Sequence, residues 1–351
     1  KQKCGRPGRV CTPCYSLIRR YRAGERQSHA THFDAHSFVT VVVSLVDYGR
    51  EYRGGLYVST KSSQKEFIGL DRGDALVHQG DLHHGVKVLD TRHDGQPSER
   101  WSWILWFRDS DTCDDNSNEW YHQCAVEGNP TCMYLHATRE PKTESVVRWN
   151  RKASDAGHAQ ASVKLAYAYL KLLPSHLNFD RDAAEALFQS AIDSSNEPDG
   201  HYGLASLYLE NMKQNIQLQP GTSPTGTQTM FKIIHHLEEA AKSGHVFAMF
   251  NLGMCYTYGY HRKDGLRDYE LAVKWFEASG LPEGMAAKAL YLEQIRNITG
   301  AEEYRQKALI LGFGTFWRKT ARERTGSGGS SGANLNLPWP PLPTGEMPPE
   351  W

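Results

Sequence analysis

The apolar positions of this chain change their rhythm partway along it. From about residue 38 to residue 107 they come as short β-branched or aromatic runs, "FVTVVVSLV", "GGLYVST", "FIGL", "DALVHQ" and "WSWILWF", broken by Gly, Asp and Arg turns. Such runs predict strands, and many short strands with turn signals between them predict a sandwich, barrel or jelly roll. From about Glu119 onward the apolar residues fall three and four apart, and Ala and Leu dominate: "SVKLAYAYLKLL", "AAEALFQSAI", "HLEEAAKSG", "FNLGMCYTYG" and "LAVKWFEASG". That spacing predicts amphipathic helices. Strands first and helices second argue for an α+β chain of two domains, not an interleaved α/β fold.

The helical half repeats itself. "AVEGNPTCMYLHA", "ASDAGHAQASVKLAYAYL", "AIDSSNEPDGHYGLASLYL", "AAKSGHVFAMFNLGMCYTYG" and "EASGLPEGMAAKALYL" share one template: Ala, a polar step usually holding a Gly, then a helix of small residues ending near an aromatic or Leu. The glycines recur from Gly128 to Gly157 and from Gly244 to Gly280, spacings that suit helix-pair solenoids. The phrases resemble Sel1-like repeats, relatives of tetratricopeptide repeats, over about Glu119 to Leu292. In that reading a Gly ends each helix, and small residues such as Ala205 and Gly253 let paired helices approach. "QLQPGTSPTGTQT" (Gln217 to Thr229) interrupts the period and reads as a surface loop. After Thr325 the chain becomes a Gly/Ser linker and a tail, "NLPWPPLPTGEMPPEW", whose composition suits polyproline II. The expected divisions are 1–112 for the strands, 113–322 for the repeats and 323–351 for linker and tail.

Composition narrows the partners. At 351 residues the chain is long enough for two cores. Forty basic and forty acidic residues cancel, so no global field draws it to nucleic acid or to an anionic membrane surface. No apolar run approaches the ~20 residues of a transmembrane segment. The opening at Lys1, with neither a Met nor a signal pattern, reads as that of a fragment or processed form. Seven cysteines cannot all pair within one chain. Cys4, Cys11, Cys14, Cys113, Cys124 and Cys132 could form disulfides in an oxidising lumen, while a zinc knuckle lacks a suitably spaced fourth ligand. One acceptor tripeptide, Asn297-Ile298-Thr299, leaves the compartment open.

The candidate chemistry starts at "THFDAH", Thr31 to His36. With 16 histidines in the chain, about one His-x-Asp is expected by chance, so the motif alone proves nothing. On an extended segment, however, His32 and Asp34 face one side. A third group is offered by His84 in "RGDALVHQGDLHHGVKV", and two imidazoles with one carboxylate form the facial triad of non-haem Fe(II) oxygenases. Alternation puts His83 on the opposite face from His84, and His29, His36, His78 and His93 read as ordinary polar residues. In "ERWSWILWF" the same period-two rule sets Arg100 and Ser102 on one face of an apolar strand. A buried guanidinium there needs an anion, and a carboxylate fits its fork. Trp275 and Tyr208 in the repeats read as helix-pair core.

From about Ile18 to Arg108 the chain resembles the catalytic core of 2-oxoglutarate- and Fe(II)-dependent dioxygenases of the prolyl 4-hydroxylase type. The resemblance implies a double-stranded β-helix, a jelly-roll barrel with the metal inside, followed by the helical solenoid. It implies His32, Asp34 and His84 as iron ligands, Arg100 as partner of the distal 2-oxoglutarate carboxylate, Tyr21 reaching the cosubstrate, and Ser102 and Trp106 lining the last strand. Fe(II), 2-oxoglutarate and ascorbate as reductant are the implied cofactors. A protein or proline-rich peptide is the implied substrate, and the lumen of the secretory pathway is the favoured compartment. The stretch between His84 and Arg100 is longer than the family's usual turn, so the register of Arg100 requires a looped-out hairpin. Two functional readings follow: a peptide or protein hydroxylase whose repeats serve recognition or assembly, and a non-catalytic scaffold subunit of a larger complex.

Overall fold

The computed structural model describes residues 8, 10–22, 27–59, 65–89, 91–114, 119–218 and 227–310, without the side chains of 213–218. Cys4, the middle of the Gln217–Thr229 stretch, and the linker and tail from 323 lie outside the described residues.

Eight strands come first: β1 (Cys11–Arg22), β2 (Ser28–His32), β3 (Val39–Ser44), β4 (Gly54–Ser59), β5 (Lys65–Ile68), β6 (Ala75–Gln79), β7 (His84–Val88) and β8 (Glu99–Asp109). They form two four-stranded sheets in the orders β1-β8-β3-β6 and β2-β7-β4-β5. Every pairing is antiparallel. β3 shows why these residues make strands: its β-branched "VTVVVS" alternates, burying Thr40, Val42 and Ser44 and leaving Val39, Val41 and Val43 half-exposed. One core draws on both sheets, with Tyr21, Val42, Leu76 and Ile104 from the first meeting Leu56, Ile68, Val86 and Val88 from the second.

β1, like β2 and β7, is a strand the apolar runs do not announce. "CTPCYSLIRRYR" holds few β-branched residues, yet it pairs with β8 over its whole length, Tyr21 opposite Arg100 and Cys11 opposite Asp109. Pro13 has no N–H for a ladder, and the register shifts between Pro13 and Tyr15, so Cys14 is the extra residue of a bulge. Cys14 is disulfide-bonded to Cys113, just beyond β8. The expected hairpin between His84 and Arg100 is present: Thr91 bridges Pro97, and the Arg92 amide donates to the Gln96 carbonyl at 2.8 Å.

By compactness the chain divides into Lys1–Glu197 and Pro198–Trp351. The first unit therefore holds both sheets and also a 3-10 turn at Glu119–Tyr121, α1 (His122–Val126), α2 (Pro130–Ala137), α3 (Thr143–Asp155), α4 (Ala159–Tyr169) and α5 (Arg181–Ser195). The texture of the sequence changes near residue 112, but packing carries these helices with the sheets. Trp120, Tyr121, Met133, Leu135 and Trp149 form one cluster against Phe33, Ala35 and Phe38. The Tyr121 hydroxyl donates to the Ser37 carbonyl at 2.9 Å, and Cys124 and Cys132 are joined by a disulfide.

The second unit holds α6 (Pro198–Leu218), α7 (Gln228–Lys242), α8 (Val246–Tyr258), α9 (Tyr269–Ser279), α10 (Pro282–Gln294) and α11 (Ile298–Ile310). Helix thus takes in both ends of the stretch expected as a loop. The repeated phrases have a physical basis in capping. In "AGHAQA" and "SGHVFA" a Gly at φ +86° or +98° ends one helix. The His that follows then caps the first turn of the next: Ala161 N–H donates to His158 Nδ1 at 3.3 Å, and Ala248 N–H to His245 Nδ1 at 3.1 Å. Gly253 marks a close approach, since a Cβ there would lie 2.5 Å from the Phe276 ring. Tyr208 and Trp275 pack against the core of this unit. No helix among the described residues is long and apolar enough to cross a membrane.

Candidate metal centre

β2 and β7 pair with His32 directly opposite His84, so alternation sends both imidazoles to the same face. Asp34 follows in a turn closed by the Ser37 amide on its carbonyl at 2.9 Å. The ligating atoms of His32, Asp34 and His84 all lie within 4.8 Å of one another. His32 Nε2 is 3.4 Å from Asp34 Oδ1, and His84 Nε2 is 3.8 Å from Asp34 Oδ2. Each ring is oriented from behind: His32 Nδ1 lies 2.8 Å from the Ala30 carbonyl and His84 Nδ1 2.9 Å from the Leu82 carbonyl. A carbonyl only accepts, so Nδ1 carries the proton and Nε2 is the metal-binding atom.

Thr40 on β3 donates to Asp34 Oδ2 at 2.6 Å. Burial alone would raise the Asp34 pKa; the His32 contact, the positive charge that His84 and His32 carry when protonated, and the Thr40 hydroxyl outweigh it and hold the carboxyl well below its usual range. His84 is pushed down to about 4, by burial first and then by His32, against the pull of Asp34. A charged carboxylate beside a neutral imidazole is the protonation pattern a divalent metal requires. The donor set fits Fe(II).

Along β8 the same inner face carries Arg100 and Ser102. Arg100 is 1% exposed, and its Nη1 donates to Ser102 Oγ at 3.1 Å. Its Nε and Nη2 have no hydrogen-bond partner among the described residues. The guanidinium carbon sits 5.8 Å from the Tyr52 ring centroid. Gly55, at φ +96°, leaves room here, because a Cβ would lie 2.7 Å from the Tyr52 ring and 3.4 Å from Arg100 Cδ. Burial lowers the Arg100 pKa, and the nearby Tyr52 and Tyr21 hydroxyls offset part of that. Tyr21 is buried opposite Arg100 in register. An unpaired buried guanidinium beside a hydroxyl fits a carboxylate such as the distal group of 2-oxoglutarate.

The flanking residues turn outward. Phe33, between two candidate ligands, stacks on His83 at 4.6 Å, and it meets Tyr134 of α2 at 6.1 Å and His158 at 6.0 Å. Three histidines read from the sequence as ordinary polar residues instead lie beside the candidate ligands: the His29 ring is 4.3 Å from that of His32, and His36 and His78 are close by. His36 lies 5.5 Å from the Trp106 ring and 6.3 Å from Tyr15, and His78 lies 4.4 Å from the His84 ring. Alternation from Val42 on β3 and Leu76 on β6 turns Thr40 and His78 inward.

Solved structures similar to this chain include Sel1 repeat proteins. One, from Oxalobacter formigenes, shares 19% identity at a TM-score of 0.46, covering 60% of each chain. Another, c5321, a protective antigen of uropathogenic Escherichia coli with an SLR fold, shares 16% identity at a TM-score of 0.41, covering 63% of this chain and 54% of that one. This chain therefore spans less than two thirds of the length of either. At these scores the likeness is loose. No family model matches the sequence, and no curated protein does.

Proposed function

We propose that this chain is an Fe(II)- and 2-oxoglutarate-dependent dioxygenase that hydroxylates a peptide or protein, with prolyl residues as its target and Sel1-like helical repeats serving recognition or assembly. The observation that carries the reading is Arg100, a guanidinium buried with no anion against it among the described residues, on the inner face of the sheet that also supplies Thr40 to Asp34. The strand orders β1-β8-β3-β6 and β2-β7-β4-β5 support a jelly-roll, double-stranded β-helix architecture, in which both sheets line one interior.

His32, Asp34 and His84 would hold the iron, and Arg100 with Ser102 would hold the distal carboxylate of 2-oxoglutarate beside Tyr21. When bound, the pair would supply, with O2 as the oxidant, the oxidation that converts a substrate C–H to C–OH: one oxygen atom would enter the hydroxyl and the other the succinate formed as 2-oxoglutarate loses CO2, with ascorbate keeping the metal reduced. The chain's own work is positioning. The carbonyls of Ala30 and Leu82 fix the two rings, Thr40 fixes the carboxylate, and Tyr52, Leu56, Val86 and Val88 keep water out of the interior. Binding a carboxylate at Arg100 would give its two unpartnered nitrogens their acceptors, so cosubstrate affinity gains from a penalty already present in the free protein.

Succinate release under Fe(II) and ascorbate, with and without a proline-rich peptide, tests this. Peptide-dependent succinate that disappears in His32→Ala is the expected result. Bound Fe(II) with no succinate for any peptide would instead leave a scaffold subunit.

A further inference from the structure

The β1-β8-β3-β6 sheet carries a rung of three inward residues beneath Asp34. Thr40 on β3 lies opposite His78 on β6 and opposite Trp106 on β8. Thr40 spends its hydroxyl on Asp34, whereas His78 Nε2 is buried with no hydrogen-bond partner among the described residues. The His78 side chain is 5% exposed, and its Nε2 lies 4.0 Å from Asp34 Oδ2.

The ring's tautomer can be read from its other nitrogen. His78 Nδ1 lies 2.8 Å from the Gln79 carbonyl, which only accepts, so Nδ1 holds the proton and Nε2 of the neutral ring is a bare lone pair. A lone pair turned toward a carboxylate is unfavourable unless a donor stands between them. Thr40 already occupies that carboxylate oxygen. A second proton on His78 would set a cation beside a site built for a divalent metal. Direct ligation is the remaining possibility within the chain, and the geometry speaks against it, because His78 stands outside the trio whose ligating atoms lie within 4.8 Å of one another.

We propose that His78 is a positioning residue of the metal centre: its Nε2 accepts a hydrogen bond from water held beside the metal, completing the outer shell that Thr40 begins. The proposal rests on the metal reading above. Outer-shell partners of this kind typically change metal affinity by about 10–100-fold when removed.

Anaerobic Co(II) titration of the full chain, by calorimetry and visible absorption, tests it with His84→Ala, His78→Phe, His78→Asn and His78→Gln. The Gln amide oxygen reaches the place of Nε2, whereas the Asn amide falls short. We expect loss of binding in His84→Ala, affinity weakened about 10–100-fold in His78→Phe and His78→Asn, and affinity close to wild type in His78→Gln, with the shape of the Co(II) spectrum unchanged in all three His78 variants. Wild-type affinity in His78→Asn or in a folded His78→Phe overturns the proposal while leaving the metal site standing. A Co(II) spectrum of altered coordination in those variants overturns it in favour of direct ligation. A wild-type chain that binds no Co(II) removes the metal reading and this proposal together.

Discussion

A buried charge without a partner is costly, and Arg100 makes that cost measurable. In the metal-free protein, Arg100→Met should raise stability by about 1–3 kcal/mol, the usual penalty for a buried polar group left unpartnered, as read by denaturant unfolding. The same variant should lose the thermal stabilisation that 2-oxoglutarate gives the Fe(II)-loaded wild type. A structural arginine would show the reverse, destabilisation with ligand response intact. Cys255 offers a second check: it is the free, buried cysteine among the described residues, and burial pushes its thiol up to about 12. A thiol reagent should leave it unlabelled in the native protein and label it on unfolding. Arg100 and Ser102 were legible because strand alternation converts Arg100-x-Ser102 directly into a shared face; His32 and Asp34 come together because β2 ends at His32 and the turn after it brings the Asp34 carboxylate back beside the ring. His78 was not legible, since a lone histidine has no partner in sequence; its meaning comes from the rung with Thr40 and Trp106.

At the scale of elements, the strands rich in β-branched and aromatic residues announced themselves, and β1 did not. Its stability comes from pairing with β8 and from the Cys14–Cys113 disulfide, neither of which is local in sequence. Replacing Cys14 and Cys113 by Ser should cost about 2–4 kcal/mol in a denaturation experiment, as expected for a crosslink closing a long loop. In the second unit, two effects compete at Gly253. Alanine would gain about 1 kcal/mol of helix propensity but would press its Cβ into the Phe276 ring, and overpacking costs about 1–3 kcal/mol. Gly253→Ala should therefore destabilise, and adding Phe276→Leu should restore stability; an additive double mutant would show that the contact does not set the helix approach.

For the molecule as a whole, the sequence shows where strands give way to helices, but it does not show where packing divides the chain. The first helices belong with the sheets because aromatic residues dock on the loop carrying Asp34, and such docking leaves no periodic signal. A chain ending at residue 112 should consequently fail to hold Co(II), while one ending at Glu197 should bind it. Acid should also weaken the fold. His158 in the first unit and His236 in the second are both pushed from 6.5 to about 4, burial being the main cause. Their folded pKa values are depressed, so the unfolded chain takes up protons first: stability should fall as pH drops from about 6.5 toward 4, seen as a falling melting temperature of the metal-free protein. The most direct measurement of the central claim is anaerobic titration of the chain with Fe(II) and then 2-oxoglutarate, followed by visible absorption. The account predicts a metal-to-ligand charge-transfer band that needs both additions, vanishes in His84→Ala and demands far more 2-oxoglutarate in Arg100→Met. Iron binding without that band, or a band indifferent to Arg100, would contradict it.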